Sequence, residues 1–123
     1  SGHDLSINTI SATLKEMIKN PHLYKNYIAE IENNIIGFIS VIFYKTAFHP
    51  GGTALINELI IDKDYRNQGI GKILLSKIIE VAKESGINEI EVSTTSDNKR
   101  AINFYKKVGL NDESLLLGME LTK

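Results

Sequence analysis

The stretch LIIDKDYRNQGIGKILLSKIIEVAKESG, residues 59–86, decides the fold of this chain. It begins as an apolar strand, passes through a turn that contains Gly69 and Gly71, and continues with helical periodicity. The apolar face of the helix predicted from Gly69 is formed by Ile70, Ile73, Leu74, Ile78, Val81 and Ala82. Gly86 is placed to end this helix in a left-handed conformation.

The turn between the strand and the helix is a candidate anion site. The first backbone N–H groups of a helix have no intrahelical partner, and the helix dipole favours negative charge there. A P-loop is not matched, because Arg66 occupies the first glycine position and Ile73 the hydroxyl position. A dinucleotide-binding turn is not matched either, because Leu74 stands at the third glycine position. From the turn alone, an anion site and a purely structural helix start are both open.

Upstream of this stretch the sequence predicts a helix and three strands. The helix runs from Ser6 or Ser11 to Lys19 and is stopped by Asn20-Pro21. The strands are Tyr24 to Glu32, Ile35 to Tyr44 and Ala54 to Ile61, with a tight turn at Asn33-Asn34 and a loop over residues 45–52. We assign the loop because Pro50-Gly51-Gly52 is strong turn chemistry.

Downstream, the sequence predicts a strand, a short helix and a final strand. Alternation at Ile90, Val92 and Thr94 indicates a half-buried strand, and Lys99 to Val108 reads as a helix that Gly109 ends. The apolar segment Leu115 to Leu121 is predicted to be the last strand. The fold class is therefore α/β, with an α+β mixed sheet, in a single domain over residues 1–123.

Composition narrows the class of function. The formal net charge of -1 provides no positive field, so we expect no nucleic acid and no anionic membrane as partner. The longest apolar run, residues 35–44, is far shorter than the roughly 20 residues of a membrane span. The absence of cysteine excludes disulfides, zinc-thiolate sites and thiol catalysis, and it fits a cytoplasmic protein. We expect no metal, and Ser1-Gly2-His3 reads as a cloning remnant.

Two segments together resemble the GNAT superfamily of N-acetyltransferases. The first is the opening stretch, in which Arg66-Asn67-Gln68-Gly69-Ile70-Gly71 is similar to the family's R/Q-x-x-G-x-G/A motif between a strand and a long helix. The second, STTSDNKRAINFYKKVGL at residues 93–110, is similar to the family's later motif. The resemblance covers residues 24–121. It departs from the family at the N-terminus, where an additional strand and helix are expected, so that part of the acceptor-substrate wall is in doubt.

The resemblance implies that the ligand is acetyl-coenzyme A, with its pyrophosphate held by the backbone of residues 66–71 and a minor contribution from Lys72. It also implies that the backbone of residues 59–61 pairs with the pantetheine arm, and that one of these amides polarises the thioester carbonyl. The residues expected to hold the coenzyme are Leu59, Ile60, Ile61, Arg66, Asn67, Gln68, Gly69, Ile70, Gly71, Lys72 and Asn98. For Asn98, a plain helix N-cap is equally open.

Amine acetylation uses a base for the ammonium proton and an acid for the departing thiolate. By the resemblance, Tyr105 is the acid, although its spacing on the helix also fits a core aromatic. Glu58 is the base or an anchor for a cationic acceptor, and an edge-exposed strand glutamate is its other interpretation. His49 is a weaker candidate for the base.

Two functions therefore compete. The first is an N-acetyltransferase that uses acetyl-CoA to acetylate a primary amine of a small molecule or peptide by direct attack. The second is a coenzyme A-binding regulatory or partner-binding module without turnover. The oligomeric state is open, although pairing of the Leu115 to Leu121 strand across a homodimer is one arrangement that the sequence allows.

Overall fold

The computed structural model describes residues 11–122. Its elements are α1 (Ser11–Ile18), β1 (Tyr24–Ile31), β2 (Asn34–Thr46), β3 (His49–Ile61), a 3-10 turn (Lys63–Tyr65), α2 (Ile70–Glu84), β4 (Glu89–Val92) and α3 (Lys99–Lys107). The predicted mixed α/β class is confirmed. The part of the predicted first helix between Ser6 and Ile10 lies outside the described residues.

One four-stranded sheet has the strand order β1-β2-β3-β4. β1 pairs with β2, and β2 with β3, in antiparallel fashion, whereas β3 pairs with β4 in parallel. A parallel pair needs a crossover connection, and α2 provides it. Because the crossover leaves from the end of β3, it places the N-terminus of α2 beside that end, where the glycine turn lies.

The hydrophobic core lies between one face of the sheet and α2. Its buried side chains are Ile39, Val41, Ala54 and Ile56 from the strands, Leu74, Leu75, Ile78 and Ala82 from α2, and Tyr105 from α3. The predicted apolar face of α2 was wrong at Ile73, which is 67% exposed, whereas Leu75 is 1% exposed. The buried stripe therefore lies slightly around the helix from the one that we predicted.

The first hairpin turns one residue earlier than predicted. Glu32 and Asn33 both have positive φ angles, 51° and 68°. Two central residues with positive φ form a type I′ turn, whose twist matches that of the flanking strands. The tight turn is therefore Glu32-Asn33, and Asn34 already belongs to β2.

The predicted loop over residues 45–52 was wrong. β2 continues to Thr46 and β3 begins at His49, so that the chain reverses at residues 47–48. Thr46 pairs with His49 and Tyr44 with Thr53, which leaves Pro50-Gly51-Gly52 as a bulge inside the ladder. Gly52 has a φ of 89°. Proline and glycine favour bulges as well as turns, and here they kink a long strand.

The predicted strand Leu115 to Leu121 was also wrong, because residues 110–122 carry no helix or strand. The side chains of Leu115, Leu116, Leu117, Met119 and Leu121 are between 76% and 88% exposed. An apolar segment becomes a strand only where it finds a ladder and a covered face. This segment has neither within residues 11–122.

Candidate active site

A cavity of about 910 Å³ lies between the end of β3, the start of α2 and α3. All of the residues predicted to hold the coenzyme line it except Gln68, and Tyr105 lines it as well. Gln68 Nε2 instead donates a hydrogen bond to the carbonyl of Asp64, 3.4 Å away, across the 3-10 turn. The volume is within the usual range of small-molecule sites.

The N-terminus of α2 forms one wall of this cavity. Gly69 is the N-cap, with a left-handed φ of 81° and no side-chain hydrogen bond to the helix. The first N–H that bonds within the helix is that of Ile73, to the carbonyl of Gly69, so the amides of residues 70–72 precede the ladder. An added Cβ at Gly69 would meet nothing within 4 Å, so the backbone conformation, not space, requires glycine there.

Gly71 brings α3 close to this helix start. A Cβ on Gly71 would lie 3.4 Å from Phe104 Cζ and 3.9 Å from Leu59 Cδ2, which is ordinary contact. Phe104 in turn makes an edge-to-face contact with Tyr105, with ring centroids 5.2 Å apart. The glycine position therefore connects the amides of α2 to the aromatic pair of α3.

Side-chain hydrogen bonds hold the turn in shape. Asn67 has a φ of 64°, and its Oδ1 accepts a hydrogen bond of 3.3 Å from Arg100 Nη2. Arg66 Nε donates to the carbonyl of Ile61 at 3.3 Å. These bonds attach the turn both to α3 and to the end of β3, so the amides at the start of α2 are held in place before any ligand arrives.

The ladder between β3 and β4 stops before β3 ends. Its last pair is Ile56 with Val92, although β3 continues to Ile61. Over residues 57–61, the backbone edge that faces away from β2 is therefore not paired with β4. An exposed strand edge of this kind can accept an extended ligand by backbone hydrogen bonds.

Tyr105 is both a core aromatic and a residue of the cavity wall, the two positions that the sequence left as alternatives. It is 5% exposed and belongs to the core cluster, and it also lines the cavity. Burial raises the pKa of its phenol above the ordinary 10.0. The phenol therefore stays protonated at neutral pH, as a hydrogen-bond or proton donor must.

Glu58 does not line the cavity. It is half-buried and pairs with Ser40 of β2, and strand alternation directs it to the face opposite Leu59. Leu59 packs against the core on the α2 side. The structure thus places Tyr105 and Glu58 on opposite faces of the sheet, and the open edge of β3 lies between them.

The remaining candidates have structural contacts. Asn98 caps α3, since its Oδ1 accepts from the N–H of Ala101 at 3.2 Å, and it also lines the cavity. His49 Nε2 lies 2.7 Å from Asn88 Oδ1 near the far end of β3. That position is roughly 25 Å along the strand from Glu58, too far for a shared proton.

Positive charge gathers on one side of the cavity. Arg66, Lys72, Arg100 and Lys107 line it, whereas Lys106 lies 3.5 Å from Glu113 in an exposed ion pair. Together with the dipole at the start of α2, these cations favour an anionic ligand. Within the described part of the chain, no three His, Asp or Glu side chains cluster as metal ligands would.

Three buried polar atoms were missed from the sequence: Asn26 Oδ1, Ser40 Oγ and Thr94 Oγ1 have no hydrogen-bond partner among the described residues. Ser40 had a visible signal, since it is the one polar side chain in the run IIGFISVIF, residues 35–43. Asn26 had none, because its neighbour across the sheet depends on the strand register.

Comparison with known proteins identifies the family. The model of the acetyltransferase (GNAT) family matches residues 5–110. An uncharacterized N-acetyltransferase of Methanocaldococcus jannaschii is 31% identical over 93 residues, which are 75% of this chain and 41% of that protein. Streptothricin acetyltransferase A of Bacillus subtilis is 38% identical over 81 residues, 66% of this chain and 44% of that protein. The chain thus spans less than half of either relative.

The fold has solved counterparts. An aminoglycoside N-acetyltransferase determined in complex with CoA superposes with a TM-score of 0.80 at 16% identity, covering 94% of this chain and 89% of the other. At that identity the likeness concerns the fold alone. No helix within residues 11–122 is both long and apolar enough to cross a bilayer.

Proposed function

The chain belongs to the GNAT family of acetyltransferases, and on that premise we propose that it transfers an acetyl group from acetyl-CoA to a primary amine. The observation that carries the proposal is the cavity at the N-terminus of α2, where the first amides of the helix, four cations and an open strand edge meet. The acyl group and the thioester bond come from the coenzyme, and the protein supplies binding, orientation and proton transfer.

For the phosphates, the fit rests on the glycine turn. The amides of residues 70–72 precede the hydrogen bonds within α2, and Gly71, which lines the cavity, places no side chain there. Lys72 and Arg100 add charge beside them. An anion here meets aligned N–H donors and a positive helix end, which are the elements of a backbone phosphate site.

For the extended arm of the ligand, the fit rests on the edge of β3. Residues 59–61 line the cavity and have an edge that β4 leaves unpaired. We propose that their backbone pairs with the amides of the arm, as an added strand would. One N–H of this edge then lies where it can polarise the thioester carbonyl.

We assign Tyr105 the role of the acid. As the amine nitrogen attacks the carbonyl carbon, the carbon–sulfur bond breaks and the sulfur takes the phenolic proton of Tyr105. The burial that raises the pKa of this phenol also keeps the proton available at neutral pH. The attacking nitrogen loses its second proton to solvent as the amide forms, and the tyrosinate recovers a proton from solvent.

We assign Glu58 the role of the base. Its carboxylate takes one proton from the ammonium of the acceptor, which leaves the nitrogen lone pair free to attack. Glu58 acts from the face opposite Tyr105, so the acceptor approaches across the open edge of β3 while the acid stays on the core side. The two proton transfers are thereby separated by the sheet.

The acceptor class is a primary amine of a small molecule or a peptide. One relative is named for streptothricin and the solved counterpart for aminoglycosides, and both names denote compounds that carry several amino groups. A useful panel therefore contains streptothricin, kanamycin, spermidine, lysine and a peptide with a free N-terminus.

The test is thiol release from acetyl-CoA with each member of this panel. The proposal predicts release that depends on one of these acceptors, with loss of at least tenfold in kcat for Tyr105→Phe and for Glu58→Gln. Binding of acetyl-CoA without release for any acceptor would instead support the alternative, a coenzyme A-binding regulatory or partner-binding module. Absence of both binding and release would overturn both functions.

A further inference from the structure

A row of three polar side chains crosses the sheet on the face opposite α2. Asn26 of β1 pairs with Ser40 of β2, and Ser40 pairs with Glu58 of β3. Paired residues of antiparallel strands project from the same face, with Cα atoms about 4.5–5.5 Å apart. The row therefore extends about 10 Å sideways from the glutamate to which we assign the base.

Two members of this polar row are buried without a partner. Ser40 is 0% exposed, and within residues 11–122 neither its Oγ nor Asn26 Oδ1 has a hydrogen-bond partner. Leaving a buried polar atom unpaired costs about 1–3 kcal/mol. The neighbours of Ser40 on the same face of β2 are Phe38 and Ile42, so an alanine or a valine would suit the packing better.

The far end of the polar row opens to a cavity. Asn26 lines a cavity of about 280 Å³ at the end of α1, together with Ile18 and Tyr24. That volume is ample for several water molecules, each of which needs polar partners such as the side-chain amide of Asn26. The polar row thus joins Glu58 to a space where water can lie.

We propose that Ser40 and Asn26 are positioning residues that carry the acceptor's proton away from Glu58. The proposal rests on the proposed function. After Glu58 has taken the ammonium proton, its carboxylic acid donates to Ser40 Oγ, and the hydroxyl proton of Ser40 passes to a water that Asn26 Oδ1 orients. One proton leaves through the smaller cavity, and the carboxylate and the hydroxyl are restored.

If this proton relay from Glu58 through Ser40 to water operates, replacing Ser40 should change stability and turnover in opposite directions. Ser40→Ala removes an unpaired buried hydroxyl and creates almost no cavity, so the fold should keep or gain thermal stability. The same change should interrupt the proton path. A residue that only supports the fold would show the reverse, a loss of stability with unchanged turnover.

The experiment compares Ser40→Ala, Asn26→Leu and the control Thr53→Val in the full chain. Thr53 is also buried and lies on the same face, but its hydroxyl donates to Glu89 Oε1 at 3.3 Å and is remote from Glu58. The probe is acetyl-CoA with whichever of the five panel amines the wild type acetylates fastest. The readouts are kcat, both KM values, the solvent deuterium isotope effect on kcat, and Tm.

The relay predicts that Ser40→Ala lowers kcat at least tenfold, keeps both KM values within twofold, raises the isotope effect and does not lower Tm. Asn26→Leu should lower kcat about threefold, and Thr53→Val should leave kcat unchanged. If the wild type turns over and the kcat of Ser40→Ala is within twofold of the wild-type kcat, the relay is overturned and the proposed function stands. If Ser40→Ala does not fold, Asn26→Leu decides by the same criteria. If the wild type acetylates none of the five amines, the proposed function fails and the relay fails with it.

Discussion

Gly71→Asp should separate the stability of the fold from the binding of the coenzyme. Gly71 is the second residue of α2, lines the cavity and has space for a Cβ, 3.4 Å from Phe104 Cζ. Aspartate is a better helix former than glycine by about 0.3 kcal/mol, and an acidic side chain in the first turn gains about 0.3–1 kcal/mol more. The apo protein should therefore be more stable by about 1 kcal/mol.

The same carboxylate should oppose the pyrophosphate. Two unit negative charges about 5 Å apart repel by about 3 kcal/mol at an effective dielectric constant near 20. That energy corresponds to a loss of affinity of more than about 100-fold. The variant should consequently have a higher Tm than the wild type without ligand, and a dissociation constant for acetyl-CoA at least 100-fold weaker by titration calorimetry.

Two controls isolate the cause. Gly71→Ala adds the Cβ without the charge and should weaken binding only about tenfold. Ile73→Asp adds the same charge in the first turn at a position that is 67% exposed and does not line the cavity, so it should keep affinity within about threefold. Unchanged affinity of Gly71→Asp, or an equal loss in Ile73→Asp, would refute a pyrophosphate at the start of α2.

Four further outcomes follow from the structure. Tyr105→Phe should lower kcat at least tenfold with the acetyl-CoA dissociation constant within twofold in calorimetry, whereas a large loss of affinity would favour a purely core role. Burial raises the pKa of Tyr105 in the folded state above 10.0, so the stability that the neutral phenol contributes is complete below pH 10 and is lost as the pH rises further. In urea titrations above pH 10, the free energy of unfolding of the wild type should therefore fall relative to that of Tyr105→Phe. Parallel curves for the two proteins would contradict this. Gly69→Ala should cost about 1–2 kcal/mol in urea, because φ is 81°, and a neutral result would mean that the turn relaxes. Leu116→Ser should change the free energy of unfolding by less than about 0.5 kcal/mol, whereas Leu75→Ala should cost about 2–5 kcal/mol; a large cost at Leu116 would reveal a packed partner.

The parts of the fold that depend on neighbours in sequence were predictable. A strand, a turn with Gly69 and Gly71, and an amphipathic helix follow one another within residues 59–86, so each signal supports the next. Asn98 and Gly109 likewise mark the two ends of α3 by local chemistry, the one as a side-chain cap and the other with a φ of 113°.

The predictions that were wrong concerned elements whose structure depends on distant parts of the chain. Pro50-Gly51-Gly52 has the composition of a turn, but the pairing of Tyr44 with Thr53 makes it a bulge. The apolar Leu115 to Leu121 segment suggested a strand, but a strand also needs a partner edge, which no local pattern provides.

The candidate site likewise has one part that could be predicted from neighbouring residues and one part that could not. The cavity wall from residues 66, 67 and 69–72 could be predicted because the motif is contiguous. The polar row could not, because Asn26, Ser40 and Glu58 come from three strands and meet only through the register, where a shift of one residue would move them to the other face.

The most direct test of a coenzyme site at the start of α2 is the thermal stability of the wild-type chain titrated with acetyl-CoA. A ligand that binds only the folded state at 100 times its dissociation constant stabilises it by about 2.7 kcal/mol, which for a chain of this length raises Tm by about 10 °C. We expect a concentration-dependent rise of this size in the wild type, and a rise of no more than about 2 °C in Gly71→Asp at the same concentration. A wild-type Tm that stays constant up to millimolar acetyl-CoA would contradict it.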